Sequence, residues 1–217
     1  MEPIKYHHGQ TQTKDWEKAC VKTRRSLAKR NGRIVVFDIR KSDKVLDLGC
    51  GDGLNIKIFR SLGIRNVVGI DVSSDLISQA RHSNPKAKLY VGSAEKLPFK
   101  NEEFDVVFVD SVFHHIIFYD RVIKEIKRVL KKNGLLCFIE PHRSIFRSFI
   151  DFICILPISK FVPILKDRRE AFLGEIHLMT HWLATEEEFI DSLKNNEFSE
   201  IFQKKKLLSI LGEFQRN

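Results

Sequence analysis

The stretch that decides the fold is VLDLGCGDG, residues 45–53. A mostly apolar run with one acid leads into three glycines, Gly49, Gly51 and Gly53, and a helix-like segment follows them. Glycine adopts backbone angles that a side chain forbids, so a ligand can approach the main chain closely. The first amides of the following helix face the same space. The stretch therefore predicts a strand, a nucleotide-sized cradle and a helix, in that order.

Length and composition limit the number of domains and the cellular setting. The 217 residues suffice for one substantial core but are few for two domains. The four cysteines have no CxxC pairing or metal-ligand spacing, and the first eight residues lack the apolar segment of a signal peptide. We therefore expect a reduced, cytoplasmic protein. A net charge of +9 adds a weak preference for anionic partners, either nucleic acid or a membrane surface.

Strand-like and helix-like segments alternate regularly from residue 44 to residue 139. This alternation predicts a parallel sheet that is covered by helices on both faces. Two further strand-like segments, 200–207 and 208–214, can close the sheet as a hairpin. We predict an α/β fold, a Rossmann-like three-layer sandwich with a mostly parallel seven-stranded sheet whose last strand is antiparallel. The strands before the hairpin are predicted at 44–48, 66–70, 87–91, 104–109 and 135–139, and the helices at 54–62, from Ser73 or Ser74 to before Pro85, and at 120–131.

The remaining segments of the chain are predicted to be helical. Residues 14–30 read as a basic leading helix, and the apolar patch from Ile34 to Ile39 continues that layer. Residues 145–165 are rich in Ile, Phe and Leu but are interrupted by prolines, which indicates two short lid helices and not a membrane span. A capping box at Thr185–Glu188 predicts the start of the next helix. The chain is then a single domain, 1–217, made of an N-terminal helical segment (1–40), the core (41–141 and 185–217) and a helical lid insertion (142–184).

Ligands of open parallel sheets bind outside the carboxyl ends of the strands, so the residues that follow each strand are the candidates for a site. Asp71 follows the second strand, twenty residues beyond Gly51, where an acid can accept both hydrogen bonds of a ribose diol. Leu54 stands where a dinucleotide fingerprint needs its last small residue. Further polar residues follow the third strand at 92–95 and the fourth at 110–115.

Together these stretches resemble the class I S-adenosylmethionine-dependent methyltransferases, and in particular the small-molecule group that includes the quinone C-methyltransferases. The matching segments are VLDLGCGDG (45–53), VVGIDVS (67–73), VGSAEKLPF (91–99), FDVVFVDSVFHHI (104–116) and RVLKKNGLLCFIEP (128–141). The resemblance implies an enzyme of EC class 2.1.1 that uses S-adenosylmethionine and releases S-adenosylhomocysteine. It is specific for fold and cofactor and says little about the acceptor.

The resemblance also implies roles for individual residues around the cofactor. Asp47 and the backbone of the glycine turn would face the methionine part, Asp71 would hold the ribose, and Val72 would lie against the adenine. Many relatives carry Asp where this chain has Ser93, so the adenine amino group is left to Ser93, Glu95 or water. The predicted cofactor-binding residues are Asp47, Gly49, Cys50, Gly51, Asp71, Val72, Ser93, Ala94, Glu95, Asp110 and Ser111.

Methyl transfer needs a base only when the acceptor must lose a proton. His114, His115 and His142 are the candidate catalytic residues, beside Glu140, because they are predicted at strand ends that face the cleft. His114 and His115 have an alternative role in shaping the cofactor pocket. His177 and His181 lie four residues apart in the lid but lack a third ligand, and we predict no metal site.

The acceptor is predicted from the lid. Its five phenylalanines among aliphatic residues favour a small apolar or aromatic molecule bound beneath it. The segment 145–165 has a second use, as a peripheral contact with a membrane or a partner protein. Two other functions remain open at this stage. One is RNA or protein methylation through the basic N-terminal helix and Lys204–Lys206, and the other is a non-catalytic, cofactor-binding scaffold.

Overall fold

The computed structural model describes residues 31–217, so the basic helix predicted at 14–30 lies outside the described residues. Within the described residues, helix α1 spans Asn31–Ile34. The prediction that helix continues to Ile39 is wrong, because the chain turns at residues 35–37 and then extends. Of residues 33–40, only Ile34 and Phe37 have buried side chains. The backbone N–H of Asp38 donates to the Glu213 carboxylate at 3.1 Å. This turn therefore buries both apolar side chains and gives the N–H of Asp38 a hydrogen-bond partner.

Seven strands form one sheet in the order β3-β2-β1-β4-β5-β7-β6. All neighbours are parallel except that β7 runs antiparallel to both β5 and β6, which confirms the predicted sheet. The central strands are buried on both faces and are therefore almost continuously apolar. The strands are β1 (Val45–Leu48), β2 (Val67–Asp71), β3 (Lys88–Val91), β4 (Phe104–Asp110), β5 (Leu130–Pro141), β6 (Phe198–Lys205) and β7 (Ser209–Arg216).

Five longer helices cover the sheet and its carboxyl edge. Ser73 caps α3, because its hydroxyl accepts from the N–H of Leu76 at 3.2 Å. Helix α4 buries one apolar stripe, formed by Tyr119, Val122, Ile123, Ile126 and Val129. Short 3-10 turns lie at Phe113–His115 and Pro157–Lys160. None of the helices within 31–217 is long and apolar enough to cross a membrane. The helices are α2 (Leu54–Ser61), α3 (Ser74–Ser83), α4 (Tyr119–Val129), α5 (Ile145–Ile155) and α6 (Pro163–Asn195).

The prediction that a helix starts at Thr185 is wrong, because Thr185 lies in the interior of the 33-residue helix α6. Its hydroxyl donates to the carbonyl of His181 at 3.0 Å and contacts the Tyr119 hydroxyl at 2.6 Å. A threonine can bond the carbonyl four residues back as readily as it caps a helix, and the sequence does not distinguish the two uses. The lid helix and the returning core helix are therefore one continuous element.

Side chains alternate between two cores, one on each face of the sheet. Leu46 and Leu48 of β1 pack on the side of α4 and α6, and Val45 packs on the side of α2 and α3. The carboxyl ends of β1, β2, β4 and β5 share one edge, since Leu48 pairs with Ile70 and Val109, and Asp110 pairs with Ile139. The turns that follow these strands therefore meet at that edge.

Candidate active site

The glycine turn after β1 requires glycine at two positions. Gly49, Gly51 and Gly53 have φ values of +72°, +55° and +81°, in the left-handed region that side chains disfavour. A Cβ on Gly49 would lie 2.2 Å from Cγ2 of Val112, and one on Gly53 would lie 2.4 Å from Nδ2 of Asn84. The turn is thus closely packed against the loop after β4 on one side and against the end of α3 on the other.

The backbone amides of this turn bond to β2. The N–H groups of Gly49 and Cys50 both donate to the carbonyl of Ile70, at 2.8 and 3.0 Å. Gly51 N–H donates to Oδ2 of Asp71 at 2.8 Å. The Cys50 side chain is fully buried, and a Cβ on Gly69 would lie 2.8 Å from its sulfur. Cys50, one of the predicted cofactor residues, thus lies at this edge through its backbone, and its buried thiol donates to the carbonyl of Gly51 at 3.9 Å.

Asp71 joins the two turns that define the site. Its Oδ1 accepts from the N–H of Ser73 at 2.9 Å, while its Oδ2 accepts from Gly51. Both bonds come from backbone N–H groups, so the Asp71 carboxylate ties the turn after β1 to the turn after β2. The next residue, Val72, is 46% exposed. A carboxylate beside an exposed apolar side chain fits the ribose and base of a nucleoside.

The loop after β3 holds the other predicted adenine contacts. The Ser93 hydroxyl accepts from the N–H of Glu95 at 3.1 Å, so it shapes this turn, and Ala94 is buried. The Glu95 carboxylate lies 3.9 Å from the Arg121 guanidinium. Ser93, which stands where many relatives carry Asp, therefore has a structural role within the loop, whichever group contacts an adenine there.

After β4 the backbone is strained at the site. Ser111 has a φ of +64°, unusual for a residue with a side chain. Its hydroxyl donates to Oδ1 of Asp110 at 2.9 Å, and its N–H donates to the carbonyl of Ile139 at 2.9 Å. Asp110 and Asp47 are both buried at this edge of the sheet. Two buried acids make the edge locally acidic in a chain that is basic overall.

Asn55, in the first turn of α2, was not predicted as a site residue. It is fully buried, and neither atom of its amide group has a hydrogen-bond partner among residues 31–217. A buried polar group without a partner is costly. Its place directly after the glycine turn is compatible with a partner supplied by a ligand or a bound water. The position of Asn55, two residues after Gly53, was the signal available in the sequence.

Glu140, at the end of β5, organises the 3-10 turn that carries the two histidines. Its Oε1 accepts from the N–H groups of Val112 and Phe113 at 2.6 and 2.7 Å, and its Oε2 lies 2.8 Å from Nδ1 of His114. Glu140 is 1% exposed, so all three bonds form away from solvent. The carboxylate fixes both the turn and the orientation of the His114 ring.

The lid helix α6 contributes Glu175 to this cluster. Its Oε2 lies 3.6 Å from Nε2 of His114, and its Oε1 lies 3.8 Å from Nε2 of His115. Burial alone would lower the pKa of His114, but the carboxylates of Glu140 and Glu175 outweigh it and raise that pKa to about 9. His114 is therefore protonated at neutral pH. The ligand atoms of His114, His115 and Glu175 lie within 4.8 Å of one another, where we predicted no metal site. This spacing suits a cation only when His114 has lost its proton, because a protonated imidazole cannot bind a metal.

Glu175 could not be identified from the sequence, because nothing local distinguishes it from the other charged residues of the lid. The structure also separates His142 from the other two candidate bases. Its Nδ1 lies 2.8 Å from Oε2 of Glu186, and no hydrogen bond within residues 31–217 joins it to His114 or His115. In the lid, His181 stacks on Tyr119, with ring centroids 6.3 Å apart. His142 thus belongs to the contact between β5 and α6.

Comparison with known sequences points to the methyltransferases, the class of enzymes that the sequence resembles. Residues 46–138 match a family model described as a methyltransferase domain. The chain is 36% identical over 107 residues to the uncharacterized protein MJ1252 of Methanocaldococcus jannaschii, covering 48% of this chain and 39% of that one. It is 25% identical over 176 residues to the ubiquinone/menaquinone biosynthesis C-methyltransferase UbiE of Campylobacter jejuni, covering 76% and 74%. It is 38% identical over 124 residues to the ubiquinone biosynthesis O-methyltransferase of Pelagibacter ubique, covering 52% and 50%.

Two solved structures share the fold at low sequence identity. The PH0226 protein from Pyrococcus horikoshii superposes with a TM-score of 0.61 at 22% identity, over 89% of this chain and 91% of that one. A structure from Methanosarcina mazei, described as an S-adenosylmethionine-dependent methyltransferase, gives 0.60 at 21% identity, over 84% and 96%. The superpositions cover a larger share of the chain than the family model, which matches residues 46–138.

Proposed function

We propose that the chain is a class I S-adenosylmethionine-dependent methyltransferase that transfers a methyl group from this cofactor to a small apolar or aromatic acceptor by in-line displacement. Its match to the methyltransferase-domain model, its similarity to UbiE and its fold support this proposal. The observation that carries the proposal is the meeting of Glu175, from the lid helix, with the His114–His115 turn directly after β4. This contact brings polar groups of the lid helix to the edge of the sheet where Asp71 and Asp110 lie.

When bound, S-adenosylmethionine supplies an electrophilic methyl group on a positively charged sulfur. In this proposal the Asp71 carboxylate holds the ribose hydroxyls and Val72 covers one face of the adenine. Asp47 and Asp110 are buried at the same edge, so their charge favours a cationic ligand. These residues fit the cofactor in charge and in hydrogen-bonding chemistry.

On the acceptor side, the chain must position a nucleophile and exclude water, because alignment supplies much of the rate in a displacement. Helix α6 does both in this proposal, with Glu175 facing the site and Trp182 buried in the core beneath the lid. His114 is a poor base at neutral pH, since its ring is already protonated. We assign the acceptor proton to His115, whose Nε2 lies 3.8 Å from Glu175.

The choice of an apolar or aromatic acceptor rests on two relatives. The Campylobacter jejuni and Pelagibacter ubique proteins are named for methylation in ubiquinone or menaquinone biosynthesis, one on carbon and one on oxygen. The lid composition supports the choice less than the sequence predicted, because only Phe172 of its five phenylalanines packs against the core and the other four are exposed. Both carbon and oxygen methylation of a phenolic ring release a proton, which gives His115 a task in either case.

The direct experiment measures transfer of labelled methyl groups from S-adenosylmethionine to three sets of acceptors: phenols and quinols, total RNA, and protein. We expect label in the phenol or quinol set only. Glu175→Gln should lower turnover about tenfold, and Glu170→Gln, an exposed position on the same helix, should leave it unchanged. Label in RNA or protein, or in none of the three sets, would contradict the proposal.

A second variant tests the base. His115→Gln should lower turnover of a phenol by about 100-fold, in the usual range for loss of general base catalysis. Cofactor affinity, measured separately, should stay within about twofold of the wild type. If affinity falls as much as turnover, His115 shapes the cofactor pocket and is not the base.

A further inference from the structure

Helix α5 is oriented opposite to an ordinary surface helix. Its buried residues are Arg147, Asp151 and Cys154, spaced at four and three residues along one side. Its other side is apolar and faces outward. A helix on a soluble protein normally buries its apolar stripe and exposes its charges. The outward residues, together called the apolar face of α5, are Ile145 (92% exposed), Phe146 (53%), Phe149 (61%), Phe152 (59%) and Ile155 (48%).

The inward charges are paired with each other and with α6. Nε of Arg147 lies 3.2 Å from Oδ2 of Asp151, one helical turn away, and Nη2 of Arg147 lies 3.2 Å from the sulfur of Met179. A buried ion pair contributes little stability by itself, and losing one partner is costly. Turning α5 over would break the contacts of this pair with α6. The pair therefore holds the apolar face outward.

Both ends of α5 are also fixed. Ser144 caps the first turn, because its hydroxyl accepts from the N–H of Arg147 at 3.1 Å, and the same hydroxyl donates to the carbonyl of Leu207. At the other end the Arg169 guanidinium donates to the carbonyls of Ile155 and Leu156 at 2.9 and 3.3 Å. These hydrogen bonds fix the position of α5, so its apolar face is a defined part of the molecular surface.

The surroundings of the face are basic. Residues 143–169 contain six basic and two acidic residues, and one of the acids, Asp151, is buried against Arg147. Arg143 and Lys166 are exposed on either side of α5. The bond from Ser144 to Leu207 brings the β6–β7 turn alongside, where Leu207 is 57% exposed and follows the exposed Lys204 and Lys205. The apolar face itself carries no charge.

We propose that the apolar face of α5 docks into the interface of an anionic lipid bilayer, with its basic surroundings on the headgroups. Helices that lie in a bilayer surface combine an outward row of Phe, Leu or Ile with lysines and arginines at the rim. Anionic headgroups attract such a rim, whereas a second copy of the chain would bring two basic rims together and repel it. Exposed apolar rows of this size mark an interaction site.

Cosedimentation with lipid vesicles tests the proposal without cofactor or acceptor, so its outcome is independent of the methyl-transfer assignment. The full chain should bind vesicles of phosphatidylcholine mixed with phosphatidylglycerol and should bind phosphatidylcholine alone at least about tenfold more weakly. The double variant Phe149→Ser/Phe152→Ser should lower partitioning onto the mixed vesicles by at least about tenfold. The matched control is Phe118→Ser, which removes a phenylalanine that is 54% exposed beside Arg121 and should bind like the wild type.

Three results would overturn the proposal. They are equal binding to both kinds of vesicle, equal loss of binding in the control and the double variant, and no binding by the wild type. A fourth result against the proposal would come from light scattering in solution, if the wild type were a dimer and the double variant a monomer. In that case the face would be covered by a second copy of the chain. The circular dichroism of the double variant should match the wild type, because both substituted side chains point outward.

Discussion

A single carboxylate, that of Glu140, fixes the geometry of the His114–His115 turn. It accepts hydrogen bonds from the backbone N–H groups of Val112 and Phe113 and contacts the ring of His114. The carboxylate is 1% exposed and its bonds to Phe113 and His114 are buried, so solvent competes little for them. The position of both histidines thus depends on one residue that lies 26 positions beyond His114 in the chain. Removing that carboxylate should disorganise the turn as well as change its charge.

His114 should make the stability of the protein depend on pH. Its folded pKa of about 9 exceeds its ordinary value of 6.5, because the carboxylates of Glu140 and Glu175 outweigh the effect of burial. The resulting stabilisation is fully present below pH 6.5 and is lost as the pH rises to about 9. It amounts to as much as about 3 kcal/mol. Urea unfolding at both pH values measures it.

The matched variant for this measurement is His114→Gln, whose side chain can still donate to Glu140 but does not titrate. Its unfolding free energy should change less than that of the wild type between pH 6.5 and pH 9. If wild type and variant lose the same stability over that interval, the titrating group lies elsewhere.

Asn55 should show opposite effects on stability and on cofactor binding. Its buried amide has no hydrogen-bond partner within residues 31–217, so Asn55→Leu, whose side chain has the same number of heavy atoms and the same branching, removes an unpaired polar group. Stability without ligand should stay the same or rise by about 1 kcal/mol. If a bound cofactor uses this amide, its affinity should fall about tenfold. Thermal unfolding with and without S-adenosylmethionine measures both effects, and a loss of stability with unchanged affinity would contradict the account.

At the scale of elements, the sequence predicted those whose patterns are local. The strands and helices from 44 to 129 follow from alternation, from the Ser73 cap and from the stripe of α4, and the structure confirms them within a few residues. Where tertiary contacts determine the local structure, the prediction from the sequence was wrong. Residues 35–39 turn and then extend, and Glu213, far along the chain, accepts a hydrogen bond from the N–H of Asp38 there. Thr185 remains helical because Tyr119 and His181 engage its hydroxyl.

The continuity of α6 is directly testable at Ala184, an exposed residue in its interior. Ala184→Pro should lower the unfolding free energy by about 3 kcal/mol or more, because proline removes a helical hydrogen bond and clashes with the preceding turn. Ala184→Gly is the control and should cost about 1 kcal/mol. A helix beginning at Thr185 would have tolerated proline at the residue before its cap. Equal stability of the two variants in urea unfolding would therefore contradict a continuous α6.

At the scale of the whole molecule, the sheet collects residues from distant parts of the chain at one edge. The meeting of the glycine turn, Asp71 and Ser111 was predictable, because each lies at the end of a strand and the strand order brings these ends together. The approach of Glu175 to the two histidines was not predictable, since this residue comes from the lid helix and no periodicity marks it. The orientation of α5 was likewise hidden, because composition shows that the segment is apolar but not which side faces inward.

The central claim is that the turn after β1 and the acid after β2 together bind S-adenosylmethionine. Calorimetric titration of the cofactor into the wild type, Asp71→Asn and Ser73→Ala tests it most directly. Ser73→Ala is the control, since it removes the α3 cap at a cost of about 1 kcal/mol without removing the carboxylate. We predict that Asp71→Asn binds at least about tenfold more weakly than the wild type while Ser73→Ala binds equally well. Equal affinity of Asp71→Asn and wild type, or no binding by a folded wild type, would contradict the claim.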